Sequence, residues 1–276
     1  MTWSPGCAWL FCPANRPDRY LKALRSADLV VLDLEDAVEH ARKAEARIAV
    51  AKLVDAGDYD HERSILRVNA TSSPEHSADL ELVRSAKVRQ VMLAKAETLH
   101  DLGQFPDVEI VALLETPLGV ENAGILAAAA SVSGIMWGAD DLIAGLGGTE
   151  SRRPDGLYRD VARYARSRSL VAAKAHGKLA IDAVFMDMLD QAGLRRQCQD
   201  AVHVGFDAAV AIHPSQLSVI REAYRPAPGR VNWARRLLAH AGDERGVTTF
   251  EGRMVDGPIY RQAERILRSA TADPPR

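Results

Sequence analysis

The chain has 276 residues, 47% of them hydrophobic and 26% charged, with 35 basic and 37 acidic side chains for a net charge of -2. This is the composition of a soluble globular protein with length enough for one large core. So even a charge balance points away from a nucleic-acid partner or a membrane surface.

Cys7, Cys12 and Cys198 are too few and too scattered for a disulfide framework or a zinc knuckle. No segment has the basic start and apolar run of a signal peptide. No apolar stretch approaches the roughly 20 residues needed to span a bilayer. The expected location is a reducing cytoplasm.

Along the chain, apolar runs of strand length alternate with helical patterns. Strands are expected over 9–13, 29–34, 64–69, 90–95, 108–115, 134–138, 178–182 and 209–213. A helix is expected over 42–54, where Ala46, Ala49, Val50 and Leu53 share one face. Another is expected over 158–174, with Arg159, Arg163, Arg166 and Arg168 outward. Strands alternating with helices build a parallel sheet. Eight is the number that closes a (β/α)₈ TIM barrel, for which about 220 residues are ample; a doubly wound open sheet is the rival.

Beyond Tyr224 the character changes. Arg225-Pro-Ala-Pro-Gly229 is a cluster of breakers, followed by a helical pattern over 231–241, glycine punctuation and a last helix. The tail is too short for a core of its own. The expected organisation is a catalytic barrel over 1–224 and a C-terminal helical flap over 225–276, packed on its own barrel or on a neighbouring subunit. Gly145-Leu-Gly-Gly148 lacks the form of a phosphate-binding loop.

Polar residues gather where the strands end. Leu32-Asp-Leu-Glu-Asp-Ala-Val38 closes the second strand, Arg67 and Asn69 the third, Lys95 the fourth, Glu115 the fifth, Asp140 and Asp141 the sixth, Asp182 the seventh and His213 the eighth. In a barrel these ends meet on one face, where the active site lies. Glu115 and Asp141 follow buried-strand patterns and are the candidate ligands of a divalent metal, since hard oxygen donors suit Mg²⁺. Each could instead cap the helix that follows, and Asp140 competes with Asp141.

Asp33, Glu35 and Asp36 would repel one another without cationic partners. Glu35 and Asp36 are read as holding metal-bound water, or else as a cap with a salt bridge to Arg42 or Lys43. Arg67 offers a fixed fork for a carboxylate or enolate oxygen, or for an ion pair with the acidic knot. Lys95 is read as a salt bridge in preference to a Schiff base. His213 is read as structural in preference to a ligand or substrate contact.

Several stretches together resemble the citrate lyase β-subunit-like proteins of the HpcH/HpaI aldolase and malyl-CoA lyase group. They are Leu10-Phe-Cys-Pro-Ala-Asn-Arg16, Leu32-Asp-Leu-Glu-Asp-Ala-Val38, Arg67-Val-Asn69, Leu114-Glu-Thr-Pro-Leu-Gly119, Trp137-Gly-Ala-Asp-Asp-Leu142, Gly205-Phe-Asp207 with Ala211-Ile-His-Pro-Ser-Gln216, and Gly252-Arg-Met-Val-Asp-Gly-Pro258. The resemblance covers nearly the whole chain. It implies a TIM barrel, a Mg²⁺ site on Glu115 and Asp141 (with Mn²⁺ as the alternative ion), and Arg67 as the substrate contact.

It also implies an acyl-CoA thioester substrate and a homotrimer or multiple of trimers. In that assembly the flap brings Asp256 to a neighbour's site. Where the family often has Gly-Lys after Gly-Phe-Asp, this chain has Ala208-Ala209; a CoA contact is then missing or supplied elsewhere, with Arg16 and Lys22 as candidates for the phosphates.

The function implied is cleavage or formation of a 3-hydroxyacyl-CoA of the malyl- or citramalyl-CoA type. Its products are acetyl-CoA and a 2-oxo acid, pyruvate or glyoxylate, formed through an enolate. The alternatives are a CoA-independent, metal-dependent pyruvate aldolase and a non-catalytic accessory subunit.

Overall fold

The structure, a computed structural model, describes residues 5–242 and 246–271. The chain divides into two compact units, Met1–Ile220 and Arg221–Arg276.

The first unit is a closed barrel of eight parallel strands. They are β1 (Ala8–Pro13), β2 (Leu29–Asp33), β3 (Ser64–Val68), β4 (Gln90–Leu93), β5 (Glu109–Leu114), β6 (Val132–Trp137), β7 (Leu179–Asp182) and β8 (Ala208–Ala211). Each pairs with the next, and β8 returns to β1 through Ala209↔Ala8, Val210↔Trp9 and Ala211↔Leu10. That closure decides against the open sheet.

The crossovers carry helices on the outside. The longer ones are α1 (Pro17–Ser26), α2 (Lys43–Asp55), α3 (His76–Ser85), and, after the short α4 (Leu99–Gly103), α5 (Pro117–Glu121), α6 (Ala123–Ala128) and α7 (Ala139–Gly145), α8 (Asp160–Ala175) and α9 (Gln191–Val204). The helix α10 (Leu217–Tyr224) leads from the first unit into the second.

Side chains alternate across a strand, and the barrel interior follows from that period of two. Trp9, Leu29, Val31, Ile65, Met92, Val111, Leu113, Met136, Ile181, Ala208 and Val210 form one buried cluster. Continuing the same parity by one step gives Asp33 after Val31, Arg67 after Ile65, Glu115 after Leu113 and Gly138 after Met136. The apolar plug therefore turns into a charged floor at the C-terminal mouth.

Parity also corrects the reading of Asp182. It follows inward-facing Ile181, so it points outward, where Arg166 of α8 donates to both its oxygens at 3.0 and 2.9 Å and Trp137 Nε1 donates at 2.7 Å. Arg166 is accordingly not on the solvent face expected for it; it is a cation drawn under the helix by a fully buried acid.

The second unit contains α11 (Pro228–Ala241), the hairpin of β9 (Thr248–Phe250) and β10 (Arg253–Val255), and α12 (Gly257–Thr271). Ala234, Leu237, Val255, Tyr260 and Ala263 form a buried cluster within it, so the segment expected to be too short for a core of its own has a small one. The hairpin turns on Glu251 and Gly252, both with positive φ, at 51° and 76°, the pairing that a two-residue turn between twisted strands requires.

Candidate active site

The C-terminal ends of five strands, β2 to β6, bring the charged residues together. Arg67, at the end of β3, lies deepest. Its Nε and Nη2 donate to the two oxygens of Asp33 at 2.7 and 2.6 Å, and its Nη1 lies 3.0 Å from Glu35 Oε2. The Phe11 ring covers it, with the guanidinium carbon 4.6 Å from the ring centroid. Three of its N–H donors are engaged in this way, and the residue still lines the mouth cavity.

Burial pushes the Asp33 carboxyl upward. The Arg67 guanidinium, with the amides of Glu35 and Ala37, outweighs burial and holds it below the ordinary carboxylate range. The ion pair expected of Arg67 with the acidic knot is therefore present, and the residue also lines the cavity.

The loop after β2 is held by Lys43, but not through the acids. Its Nζ donates to the carbonyls of Leu34 and Glu35 at 2.8 and 2.9 Å and to Asn69 Oδ1 at 2.8 Å. Arg42 pairs with Glu45 on the surface. The expected alternative of a salt bridge from Arg42 or Lys43 to the acidic knot is thus replaced by Arg67 and Lys95. Asn69 is itself bound to Asp79, and Asp79 to Arg47. Lys43 and Asn69 thus hold the loop, and Asp79 and Arg47, which the sequence analysis does not name, hold Asn69 in turn. The only hint was a Lys and an Asp at helix positions that turn out to be buried.

Lys95 leaves β4 with φ of 51°, a left-handed conformation uncommon for a residue with a side chain. The turn lets its backbone N–H donate to Glu115 Oε1 at 3.1 Å while its ammonium reaches Glu35 Oε1 at 2.5 Å. The same ammonium lies 3.4 Å from Asp141 Oδ1, 3.8 Å from Glu115 Oε1 and 3.8 Å from Asp36 Oδ2. Burial alone would lower its pKa, but Glu115, Glu35 and Asp141 outweigh burial and raise it. A firmly protonated amine is a poor nucleophile, so the salt-bridge reading stands and the Schiff base does not.

Glu115 is 4% exposed. Burial raises its carboxyl to about 8, against the opposing pull of Lys95 and Arg67. The positive charge around it is therefore too little for a carboxylate so deep. Gly138, at the end of β6, lets it sit there: a Cβ on Gly138 would stand 2.7 Å from Glu115 Oε2. Asp140 and Asp141 also separate in role. Asp140 Oδ1 accepts from Ser151 Oγ at 2.7 Å, while Asp141 turns to Lys95, with its side chain 41% exposed.

Among the described residues no three His, Cys, Asp or Glu side chains are already gathered around one point. Mg²⁺ asks for less: one or two carboxylates with waters retained. Glu115 and Asp141 supply hard oxygen donors that reach one common cation, and Glu115 is short of positive charge. The residues present fit such an ion.

The cavity at the mouth measures about 160 Å³. Its charged wall includes Arg67, Glu115 and Asp141, and its apolar wall includes Leu113, Met136, Val184 and Met186. Arg152 and Tyr158 also line it; the guanidinium of Arg152 stacks 3.8 Å over the Tyr158 ring. No strand-end pattern could have found them, since they lie in the long loop between α7 and α8.

Other expected residues lie elsewhere. Arg16 binds Asp18 and Lys22 is exposed on α1; neither lines the cavity. His213 is not a core residue. It is exposed and caps a turn, with Nδ1 accepting from the Ser215 amide at 3.2 Å. Asp256 belongs to the second unit, where its carbonyl accepts from the amides of Ile259 and Tyr260 at the head of α12.

The chain is similar to known proteins over nearly its whole length. The HpcH/HpaI aldolase/citrate lyase family matches residues 8–214. The citrate lyase subunit beta-like protein of Mycobacterium tuberculosis is 49% identical over 265 residues, 96% of each chain. The mitochondrial citramalyl-CoA lyase of Rattus norvegicus is 31% identical over 299 residues, 97% of this chain and 87% of the relative. Among solved structures, CitE of M. tuberculosis in complex with magnesium, acetoacetate and coenzyme A aligns with a TM-score of 0.92 and 49% identity, covering 96% of this chain and 98% of that one. The chain belongs to the HpcH/HpaI aldolase/citrate lyase family.

Proposed function

We propose that this member of the family is a Mg²⁺-dependent carbon–carbon lyase acting on a 3-hydroxyacyl-CoA such as citramalyl-CoA or malyl-CoA, with Mn²⁺ as the alternative ion. The observation that carries the reading is the approach of Glu115 and Asp141 to the one ammonium of Lys95 beside Arg67 at the barrel mouth. A magnesium ion held by these two acids would supply Lewis-acid charge to the oxygens of the 2-oxo-acid half.

The chain's own residues do the rest. In cleavage the C2–C3 bond of the thioester breaks, and its electron pair stays on C2, delocalised onto the thioester oxygen as an enolate. The hydroxyl proton passes to a water held by Glu35 and Asp36, and the C3 oxygen becomes the carbonyl of pyruvate or glyoxylate. Arg67, anchored by Asp33, keeps N–H donors for the developing oxyanion. Glu35 and Asp36 hold Lys95 and the waters at the mouth. Asp256, brought by the flap of a neighbouring subunit in a trimer or multiple of trimers, delivers a proton to the enolate carbon and so completes acetyl-CoA. Among the described residues no helix is long and apolar enough to cross a membrane.

A second reading, a CoA-independent pyruvate aldolase, has one observation in its favour. The cavity of about 160 Å³ is smaller than the roughly 300–1,000 Å³ usual for larger ligands, and Arg16 and Lys22 stand outside it.

One assay separates the two readings. Citramalyl-CoA, malyl-CoA and a CoA-free hydroxy-oxo acid are each offered with Mg²⁺ and with EDTA, and acetyl-CoA and 2-oxo acid are counted. Equal, metal-dependent yields of both products from a thioester support the lyase. Turnover of the CoA-free acid alone moves the assignment to the aldolase.

A further inference from the structure

The ammonium of Lys95 stands among four carboxylates, and two of them, Glu115 and Asp141, are the proposed ligand pair. We propose that Lys95 is the resident counter-ion of this pair in the metal-free protein and a competitor that sets how tightly the divalent ion binds. The inference rests on the metal reading above and goes beyond it. A positioning residue, rather than a ligand, becomes the determinant of affinity.

The geometry carries the argument. Two cations cannot both lie within 4 Å of the same carboxylate oxygens without strong mutual repulsion. Lysine is suited to yield, being a compact charge on a flexible four-carbon stem. It also has somewhere to go, because its shortest contact, 2.5 Å, is to Glu35 Oε1. Glu35 lies outside the ligand pair and is fixed on its other oxygen by Arg67 and by the Asp36 amide at 3.1 Å. Asp36, beside it, offers a second resting place at 3.8 Å.

The backbone of Lys95 meanwhile donates to Glu115 Oε1. One residue thus holds the ligand carboxylate by its amide and shields its charge by its amine. When the ion enters, the amine retires toward Glu35 and Asp36 while the amide stays. In the metal-free protein the lysine spares the acids their mutual repulsion.

The test is calorimetric titration of Mg²⁺ into the full chain, stripped with EDTA and dialysed, as wild type, Lys95→Met and Lys95→Arg. Melting is followed in parallel in EDTA and in Mg²⁺. Lys95→Met is expected to bind Mg²⁺ about tenfold tighter or more. It should melt below wild type in EDTA and gain more from Mg²⁺ than wild type does. Lys95→Arg, which keeps the charge, should stay within about threefold of wild type.

Unchanged or weaker Mg²⁺ binding by Lys95→Met, with wild type binding normally, overturns the proposal alone. No binding by wild type or any variant overturns the metal reading and this inference together. Should Lys95→Met fail to fold by circular dichroism, Lys95→Gln is judged by the same criteria.

Discussion

The guanidinium of Arg67 and the carboxylate of Asp33 meet side by side, Nε on Oδ1 at 2.7 Å and Nη2 on Oδ2 at 2.6 Å, with Asp33 wholly buried. A fork held in this way costs no reordering when a ligand's oxygen arrives. Asp33 thus anchors Arg67, the arginine proposed to meet the substrate, through a buried ion pair.

The pair makes stability depend on pH in a definite direction. The Asp33 carboxyl is held below its ordinary value of 3.8, so its contribution is complete above that pH and is lost as pH falls through the lowered value. Asp33→Asn should cost about 3 kcal/mol near neutrality. Its deficit relative to wild type should narrow progressively below pH 3.8. Urea melts across that range measure both.

Arg67→Lys keeps the charge and loses the fork. Turnover should fall about 100- to 1,000-fold, with folding intact by circular dichroism, because one ammonium cannot satisfy both Asp33 oxygens and a ligand. Steady-state kinetics on the thioester that wild type prefers decides the point.

Gly138 gives Glu115 its room. Gly138→Ala places a methyl where only 2.7 Å separates it from Glu115 Oε2, so the carboxylate must rotate or the strand end must shift. Mg²⁺ affinity should drop about 10- to 100-fold, the range seen when the support of a metal ligand is disturbed. Calorimetric titration reads this directly.

Arg166 and Asp182 should behave in the opposite way. Arg166→Met leaves the buried acid with Trp137 alone among its side-chain donors, and stability should fall by about 3–5 kcal/mol. Turnover per folded molecule at reduced temperature should stay near wild type, since the pair lies behind the barrel wall. Melting curves and kinetics together separate this from a catalytic effect.

Strand-end patterns made much of the site legible. Runs such as Leu29 to Asp33 and Glu109 to Glu115 show both the burial of parallel strands and the place where it stops. Glu115, Asp141, Arg67 and Glu35 come together as expected for a barrel mouth. The limit was parity: counting polar residues at strand ends ignores which face each takes, and so Asp182 was grouped with the mouth although it is one residue out of phase. Arg166 was placed outward because a charged helix residue is assumed solvated until its buried partner is known. The tie from Lys43 through Asn69 and Asp79 to Arg47 spans two helices and two strand ends, and pairings of that kind exist only once the chain has folded.

Glu115 and Asp141 are proposed to hold one divalent ion beside Arg67. Crystals of the full chain soaked in Mn²⁺ and measured at the manganese absorption edge test it most directly. The account predicts a single anomalous peak at the barrel mouth, within bonding distance of an oxygen from each of Glu115 and Asp141, with the Lys95 ammonium drawn back toward Glu35. A map with no peak there, or with the ion bound elsewhere while Lys95 keeps its place between the two acids, would contradict it.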